Sequence, residues 1–322
     1  MFPLGPRKEI LSRVQGAFNR LQYSQYCGCE GDILASMPSR FRLAAITDEF
    51  SPDIDVAARS MAEVGMTGVE LRMVFGKNIL NLTDEELDQA VAIVRAQGHE
   101  IISIASPLLK CVLPNAPDVD ERFQKDMFAS KHTFEDQPRL AERAFEIAER
   151  TGAKIIRVFS YWRTVRPDQC FAAVVEALGQ LAEKAAARDL IIGLENEHAC
   201  NIATGEETAR LLAALDHPNL KIVWDPCNAL VAGENPFPEG YKQVAPDRIG
   251  HVHAKDCHVE NHKPVFCAVG EGAVDWTGQI AALENDGYSG WISLETHWPG
   301  PGGDKHEGSR ICGRNLQRLV AA

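Results

Sequence analysis

Residues 190–195 read LIIGLE, a short apolar run that ends in a carboxylate, Glu195. Three later stretches have the same form: residues 220–225 read LKIVWD, 249–253 read IGHVH and 291–295 read WISLE. Short apolar runs of this kind are typical of strands that are buried on both faces of a parallel sheet. Each of these four predicted strands therefore ends in a side chain that can bind a metal, namely Glu195, Asp225, His253 and Glu295.

Four more strand-like runs precede them, and helix signals lie between most of the eight. Strict alternation at about 30 residues per unit favours a parallel sheet, and eight units fit a closed (β/α)8 TIM barrel. An open doubly wound sheet would favour a glycine-rich phosphate loop after the first strand, where this chain reads TDEFS from residue 47. The four earlier strands are predicted at Leu43–Thr47, Gly68–Leu71, Glu100–Ala105 and Lys154–Phe159, and the four later strands at Leu190–Leu194, Leu220–Trp224, Ile249–His253 and Trp291–Leu294.

Helix starts are marked by capping residues. Ser51 followed by Pro52 predicts an N-cap and the first helical position. Thr83 with Glu86 has the spacing of a capping box, in which side chain and backbone exchange hydrogen bonds. Thr204 with Glu207 repeats that spacing. The sequence thus predicts where three of the helices begin.

The composition bounds the class of protein. The chain has 322 residues and a net charge of −12, which disfavours a nucleic-acid partner. No apolar run approaches the roughly 20 residues of a membrane span. Nine scattered cysteines predict reduced thiols and a cytoplasmic location. We expect one barrel domain over residues 41–322, preceded by an N-terminal helical extension over residues 1–40, whose apolar face would carry Ile10, Leu11, Val14, Phe18 and Leu21.

The four strand ends predict a metal site. Catalytic groups of a barrel lie at the carboxyl ends of its strands, so these side chains should meet at one rim. Three carboxylates there would repel one another, and binding a divalent cation is the simplest way to reduce that repulsion. Three carboxylates and one imidazole suit Mn, Mg or Co, with Zn as an alternative. The alternative ligands are the near neighbours Glu197, His198, His251 and His297. His251 points the same way as His253, and His253 is preferred because it lies nearer the strand end.

These motifs resemble the xylose isomerase-like TIM barrel superfamily of sugar isomerases and epimerases. The resemblance covers about residues 42–320. In the ketose 3-epimerase branch the matching residues bind Mn or a similar ion, which implies Glu195, Asp225, His253 and Glu295 as ligands. The motifs that carry the resemblance are Gly193-Leu-Glu195-Asn, Trp224-Asp225-Pro, His251-Val-His253-Ala-Lys-Asp256, Gly270-Glu-Gly272-Ala-Val-Asp275-Trp276 and Ser293-Leu-Glu295.

The chain departs from that branch in the ketose pocket. Asn228 stands where the branch has a substrate-binding histidine, Asn201 where it has a sugar-binding glutamate, and Val259 where it has an arginine. The superfamily also contains AP endonuclease-type barrels, but their additional histidine ligands are not found here. The metal centre matches and the ketose pocket does not.

The resemblance implies an isomerase or epimerase of a sugar or keto-polyol. A bound metal would stabilise an enediolate, and Glu195 and Glu295 would take and return the proton. The first alternative is a metal-dependent dehydratase of the inosose or 3-dehydroshikimate type, in which the enolate expels a hydroxyl group. The second is a non-catalytic sugar-binding barrel. Homodimers or homotetramers are common in the superfamily and are expected here.

Further polar residues near the predicted strand ends are candidates for contacting the substrate. The alternative for Glu70 is a buried ion pair with an arginine, and Lys255 is expected to pair locally with Asp256. His198 and His297 lie close to the two glutamate ligands and either orient them or bind substrate. The substrate-binding candidates are Glu70, Arg72, Lys110, Arg157, His198, Asn228, Lys255 and His297.

Overall fold

Eight parallel strands close into a barrel in the computed structural model, which describes residues 41–123, 131–261 and 263–322. The predicted (β/α)8 class is confirmed. Going round the barrel each strand neighbours the next in the chain, and the last pairs with the first through Ala44 and Ser293, among others. The strands are β1 (Arg42–Ile46), β2 (Gly68–Leu71), β3 (Glu100–Leu108), β4 (Ile155–Val158), β5 (Ile191–Glu195), β6 (Leu220–Trp224), β7 (Ile249–Ala254) and β8 (Trp291–Leu294).

All eight predicted strands are present, and three of them have the predicted bounds. The largest difference is in β3, which continues to Leu108, three residues beyond the prediction. Its pairing with β4 is interrupted between Ile104 and Leu108, so the strand passes over an irregular step before it resumes. The predicted helix at residues 10–21 lies outside the described residues.

The helices pack around the barrel. Both capping boxes are confirmed, with Thr83 and Thr204 each accepting a hydrogen bond from the backbone of a glutamate three residues later. The prediction for Ser51 is wrong, because the helix begins at Ile54 and the side chain of Asp53 accepts its first backbone N–H groups. The helices are Thr47–Phe50, Ile54–Glu63, Asp84–Ala96, Gln137–Thr151, Phe171–Ala186, Gly205–Ala214, Pro226–Val231, Tyr241–Gln243, Trp276–Asn285 and Lys305–Ala321. Within the described ranges, none of these helices has the length and apolarity needed to cross a bilayer.

The packing of Gly193 fixes the approach of β5 to its neighbours. A Cβ atom at this position would lie 2.9 Å from side-chain carbons of Ile155 on β4 and Val223 on β6. Real carbon contacts are longer, so a larger residue would push the strands apart. Because Glu195 lies two residues further on, this close packing also determines where its carboxylate reaches the rim.

A two-stranded hairpin follows β7 and covers part of the same end of the barrel. Its strands are Asp256–Glu260 and Lys263–Cys267, paired antiparallel. The buried carboxylate of Asp256 accepts four backbone N–H groups, at distances from 2.9 to 3.1 Å. This side chain therefore fixes the hairpin and the loop after it to the end of β7.

Candidate active site

The four strand-end residues meet at the rim of the barrel. Glu195 ends β5, Asp225 follows β6, His253 is the penultimate residue of β7 and Glu295 follows β8. One ligand atom from each of the four lies within 4.8 Å of the others, and all four residues are buried. We call this group the carboxylate ring. Its convergence is what parallel strands with a shared carboxyl-terminal rim produce.

His253 is held between the ring and a deeper carboxylate. Its Nδ1 atom lies 3.3 Å from Glu195 Oε1 and 3.4 Å from Glu295 Oε2. Its Nε2 atom lies 3.1 Å from Oε1 of Glu70. Because a carboxylate accepts, Nε2 is the donor there, which leaves Nδ1 facing the ring as the nitrogen suited to a metal.

Glu70 lies below the ring and is fully buried. The same Oε1 atom is 2.9 Å from Nε2 of His251 and accepts the hydroxyl of Ser293. Glu70 thus forms its ion pairs with histidines, whereas the sequence suggested an arginine. The two histidines hold the pKa of Glu70 well below its usual range, against the opposing and larger effect of burial. Glu70 therefore holds His253 in place, with His251 beside it, and its role in substrate binding stays a prediction.

Lys255 lies inside the ring. Its Nζ atom is 2.7 Å from Asp225 Oδ2, 3.0 Å from Glu295 Oε2 and 4.0 Å from Glu195 Oε1. The expected local pair with Asp256 is wrong, because Asp256 is occupied by backbone N–H groups while the lysine side chain points to the other carboxylates. Successive residues at a strand end point to opposite sides, which separates these two side chains.

Two arginines add to this positive charge. Nη1 of Arg157 lies 3.2 Å from Glu195 Oε2 and 3.4 Å from Glu295 Oε1, and Nη1 of Arg72 lies 3.0 Å from the same Glu295 atom. The argument that the carboxylates need a metal to relieve repulsion is therefore wrong, because cations of the chain itself already neutralise them. The case for a metal depends instead on the type and geometry of the donors.

The ring residues differ in their protonation equilibria. Burial acts to raise the pKa of Glu295, but Lys255, His297 and His253 together hold it well below its usual range. Burial, with the nearby Glu195 and Glu295 charges, raises the pKa of Asp225 to about 6, although Lys255 opposes this. Burial also opposes the charging of His253, yet Glu70, Glu195 and Glu295 raise its pKa well above the usual value. Because Nδ1 of His253 can bind a metal only without a proton, metal loading of the ring would release that proton.

A second group of polar side chains extends from the ring toward β3. Asn228 donates from Nδ2 to Glu195 Oε1 at 3.1 Å, and its Oδ1 lies 2.8 Å from His198 Nδ1. That imidazole lies 2.9 Å from Glu197, whose other oxygen is 3.5 Å from Lys110 Nζ. Four of these residues were predicted for this region, while Glu197 was considered only as a replacement ligand. An imidazole from the end of β5 therefore contacts Asn228, the position at which the ketose 3-epimerase branch has its histidine.

A third group joins the ends of β1 and β8. Arg72 Nη2 lies 2.8 Å from Asp48 and 2.6 Å from the fully buried Glu49. Glu49 Oε2 also accepts the backbone N–H of His297 at 3.2 Å and lies 3.3 Å from Lys305 Nζ. Sequence reasoning missed Glu49, which lies three residues after β1 in the short helix Thr47–Phe50, beyond the positions that the strand-end rule selects.

The chain matches a known protein family over most of its length. The sequence profile of the xylose isomerase-like TIM barrel family matches residues 58–312. The chain belongs to the xylose isomerase-like TIM barrel family. The predicted resemblance is therefore confirmed.

The curated relatives compared with this chain are less than 30% identical to it. Inosose dehydratase of Geobacillus thermodenitrificans is 26% identical over 137 residues, covering 38% of this chain and 45% of the relative. A 3-dehydroshikimate dehydratase of Pseudomonas aeruginosa is 29% identical over 164 residues, covering 48% of this chain and 25% of the relative. The chain thus spans less than half the length of the curated relatives it matches.

Solved structures support the fold. The probable 3-DHS dehydratase AsbF of Bacillus anthracis superposes with a TM-score of 0.64 at 20% identity, covering 86% of this chain and 99% of that one. IOLI protein, solved with a binding zinc atom, gives a TM-score of 0.66 at 16% identity, covering 87% and 98%. At these identities the likeness shows the shared barrel.

The donor atoms of the carboxylate ring are of the types that hold a metal ion. Glu195 Oε2 and Asp225 Oδ2 are buried and, within the described residues, accept no hydrogen bond of good geometry. Cations approach them at 3.2 and 2.7 Å, so these are ion-pair contacts without hydrogen-bond alignment. Two oxygens without an aligned hydrogen bond, a third carboxylate and an imidazole nitrogen oriented by Glu70 form a donor set that suits a divalent ion once the cations beside it move away.

Proposed function

We propose that this protein is a divalent-metal-dependent enzyme that dehydrates a keto-polyol. The observation that carries the proposal is the buried ring of Glu195, Asp225, His253 and Glu295, with ligand atoms within 4.8 Å of one another. Mn is the expected ion, with Mg, Co or Zn as alternatives. When bound, such an ion would supply Lewis-acid polarisation of a substrate carbonyl and its neighbouring hydroxyl group.

The residues of the chain supply the proton chemistry. Glu195 and Glu295 lie at the ends of β5 and β8, and both face Nδ1 of His253. A carboxylate that takes the proton next to the carbonyl leaves an enolate. In dehydration the enolate re-forms the carbonyl, a carbon–carbon double bond forms and the β carbon–oxygen bond breaks. The departing hydroxyl group takes the proton that the carboxylate removed and leaves as water. Arg157, which contacts both glutamates, holds them in position.

The activities named for the curated relatives favour dehydration over epimerisation. The characterised relatives compared above are dehydratases of inosose and of 3-dehydroshikimate, at 26–29% identity. Epimerisation is the second candidate, because two glutamates flank His253 and a two-base exchange at one carbon needs such a pair. Among structural neighbours, a D-allulose 3-epimerase of Methylomonas sp. shares this barrel at 18% identity.

Metal content and product mass test the proposal together. The purified chain is analysed by elemental mass spectrometry, loaded with Mn, and incubated in deuterated water with an inosose and, separately, with 3-dehydroshikimate. We expect about one divalent ion per chain and a product that has lost one water molecule. A product of unchanged composition that has gained deuterium would replace dehydration with epimerisation. Failure to bind any divalent ion would overturn the metal-dependent mechanism and favour a sugar-binding barrel.

A further inference from the structure

We infer that Lys255 is an internal cation that competes with divalent metal for the carboxylate ring, and so sets how tightly the ring binds metal. This inference rests on the metal-dependent function proposed above. It assigns to Lys255 a role in metal loading, whereas the sequence suggested substrate contact. Lys255 acts through the ligands and is a positioning residue.

The ammonium group already occupies the oxygens that a metal would need. Its contacts of 2.7, 3.0 and 4.0 Å reach Asp225, Glu295 and Glu195, which are three of the four candidate ligands. The side chain of Lys255 is 1% exposed, so water screens these contacts little. A divalent ion sits roughly 2.0–2.6 Å from its oxygen ligands. Two cations cannot approach the same buried oxygens without strong repulsion, so metal entry requires the ammonium to move away.

The neighbouring arginine is fixed more firmly than the lysine. Nη2 of Arg157 donates to the backbone carbonyls of Ala105 at 3.1 Å and Ser106 at 3.4 Å, and its guanidinium lies 4.7 Å from the ring centre of Phe159. Throughout the described part of the chain, the ammonium of Lys255 has ring carboxylates as its charged partners. A four-carbon stem with a point charge rearranges more easily than a planar group bound by backbone. Lys255 is therefore the cation that yields to metal.

The backbone of Lys255 stays in place while its side chain moves. Its carbonyl accepts Nε1–H of the buried Trp276 at 3.2 Å. The next residue, Asp256, is held by four backbone N–H groups. Displacement is thus limited to the side chain.

Direct binding of Mn to the whole chain tests the inference. Mn affinity is measured by equilibrium dialysis for the parent protein, Lys255→Met, the charge-preserving Lys255→Arg, and a surface control, Lys154→Met. Lys154 is paired with Asp189 in solvent, away from the ring. We expect Lys255→Met to bind Mn about tenfold more tightly or better, because the ammonium charge in contact with the ring no longer repels the ion. Lys154→Met should bind as the parent does, and Lys255→Arg should bind no more tightly than the parent, because a guanidinium is displaced less easily.

The outcomes separate this inference from the proposed function. If the parent binds Mn and Lys255→Met binds it equally or more weakly, competition by Lys255 is refuted and the metal-dependent function stands. If neither binds Mn, both fall. Should Lys255→Met fail to fold, crystal structures of the parent protein without and with Mn decide: we expect Nζ to leave its contact with Asp225 Oδ2 on loading. An unchanged contact beside a bound Mn would overturn the inference.

Discussion

The Nε2 atom of His253 lies 3.1 Å from Oε1 of Glu70, a carboxylate on the second strand that has no exposed surface. This contact joins residues 183 positions apart in the chain. It fixes which imidazole nitrogen faces the carboxylate ring, because the carboxylate of Glu70 accepts a hydrogen bond from the nitrogen that carries the proton.

Replacing Glu70 with glutamine should weaken metal binding. Glu70→Gln keeps the shape of the side chain but removes the charge that orients His253. We expect Mn affinity to fall by roughly 10–100-fold, as for other residues that orient metal ligands. Equilibrium dialysis measures it, with the exposed Glu85→Gln as the matched control. Equal affinity in both variants would show that Glu70 does not position His253.

Removing the charge of Glu295 should abolish function and lower stability together. Glu295→Gln deletes a ring ligand and leaves Lys255 and Arg72 without their shared partner. We expect turnover to fall by about a hundredfold or more and the free energy of unfolding to fall by roughly 3–5 kcal/mol. Product mass spectrometry and urea denaturation measure these losses. Retained activity beside normal folding would exclude Glu295 from the reaction.

Glu49 should make stability depend on pH in the acid range. Burial opposes its ionisation, but Arg72, His297 and Lys305 hold its pKa well below the ordinary value of 4.5. A depressed carboxyl pKa stabilises the folded state above the unfolded value, and this stability is lost as pH falls toward the folded pKa.

The variant Glu49→Gln isolates that contribution. We expect it to be about 3 kcal/mol less stable than the parent near pH 7, because a buried ion pair loses one partner. The difference should shrink as the pH falls below about 4.5. Urea unfolding between neutral pH and the acid range measures it. A difference that is constant with pH would contradict the assignment.

Asp256 should contribute strongly to stability. In Asp256→Asn the amide group can no longer accept hydrogen bonds from all four N–H groups, and part of the turn around Gly272 is left unpaired. We expect a loss of about 3 kcal/mol in the free energy of unfolding. The control is Asp275→Asn, since asparagine caps a helix about as well as aspartate. Similar losses in both would argue against a special role for Asp256.

The strand ends explain how much of this site could be predicted. Each apolar run is recognisable locally, and parallel strands in a barrel must bring their carboxyl ends to one rim. Glu195, Asp225, His253 and Glu295 therefore converge whatever the loops between them do. Capping boxes at Thr83 and Thr204 were equally predictable, because their hydrogen bonds span only three residues.

The pairing of charges inside the rim was not predictable. Asp256 is the nearest carboxylate in sequence to Lys255, yet the lysine reaches Asp225 and Glu295, which are 30 and 40 residues away. A buried pair with an arginine was the alternative for Glu70, which lies instead against two histidines of β7. Alternation along a strand predicts that Lys255 and Asp256 point apart, but the distant partner that each buried charge reaches depends on barrel closure.

The sequence by itself determined the eight strands, their parallel order and the four side chains that end or follow the last four strands. Periodicity and capping depend on residues that are close together in the chain, so they can be recognised without knowledge of distant contacts. The tertiary structure alone decided that Lys255 and Arg157 enter the carboxylate ring and that Arg72 joins Asp48 and Glu49 to Glu295. The contact between Arg72 and Glu295 exists because closing the barrel places the first strand beside the last. The other contacts form because charged side chains from neighbouring strands are buried at one rim and must find partners there.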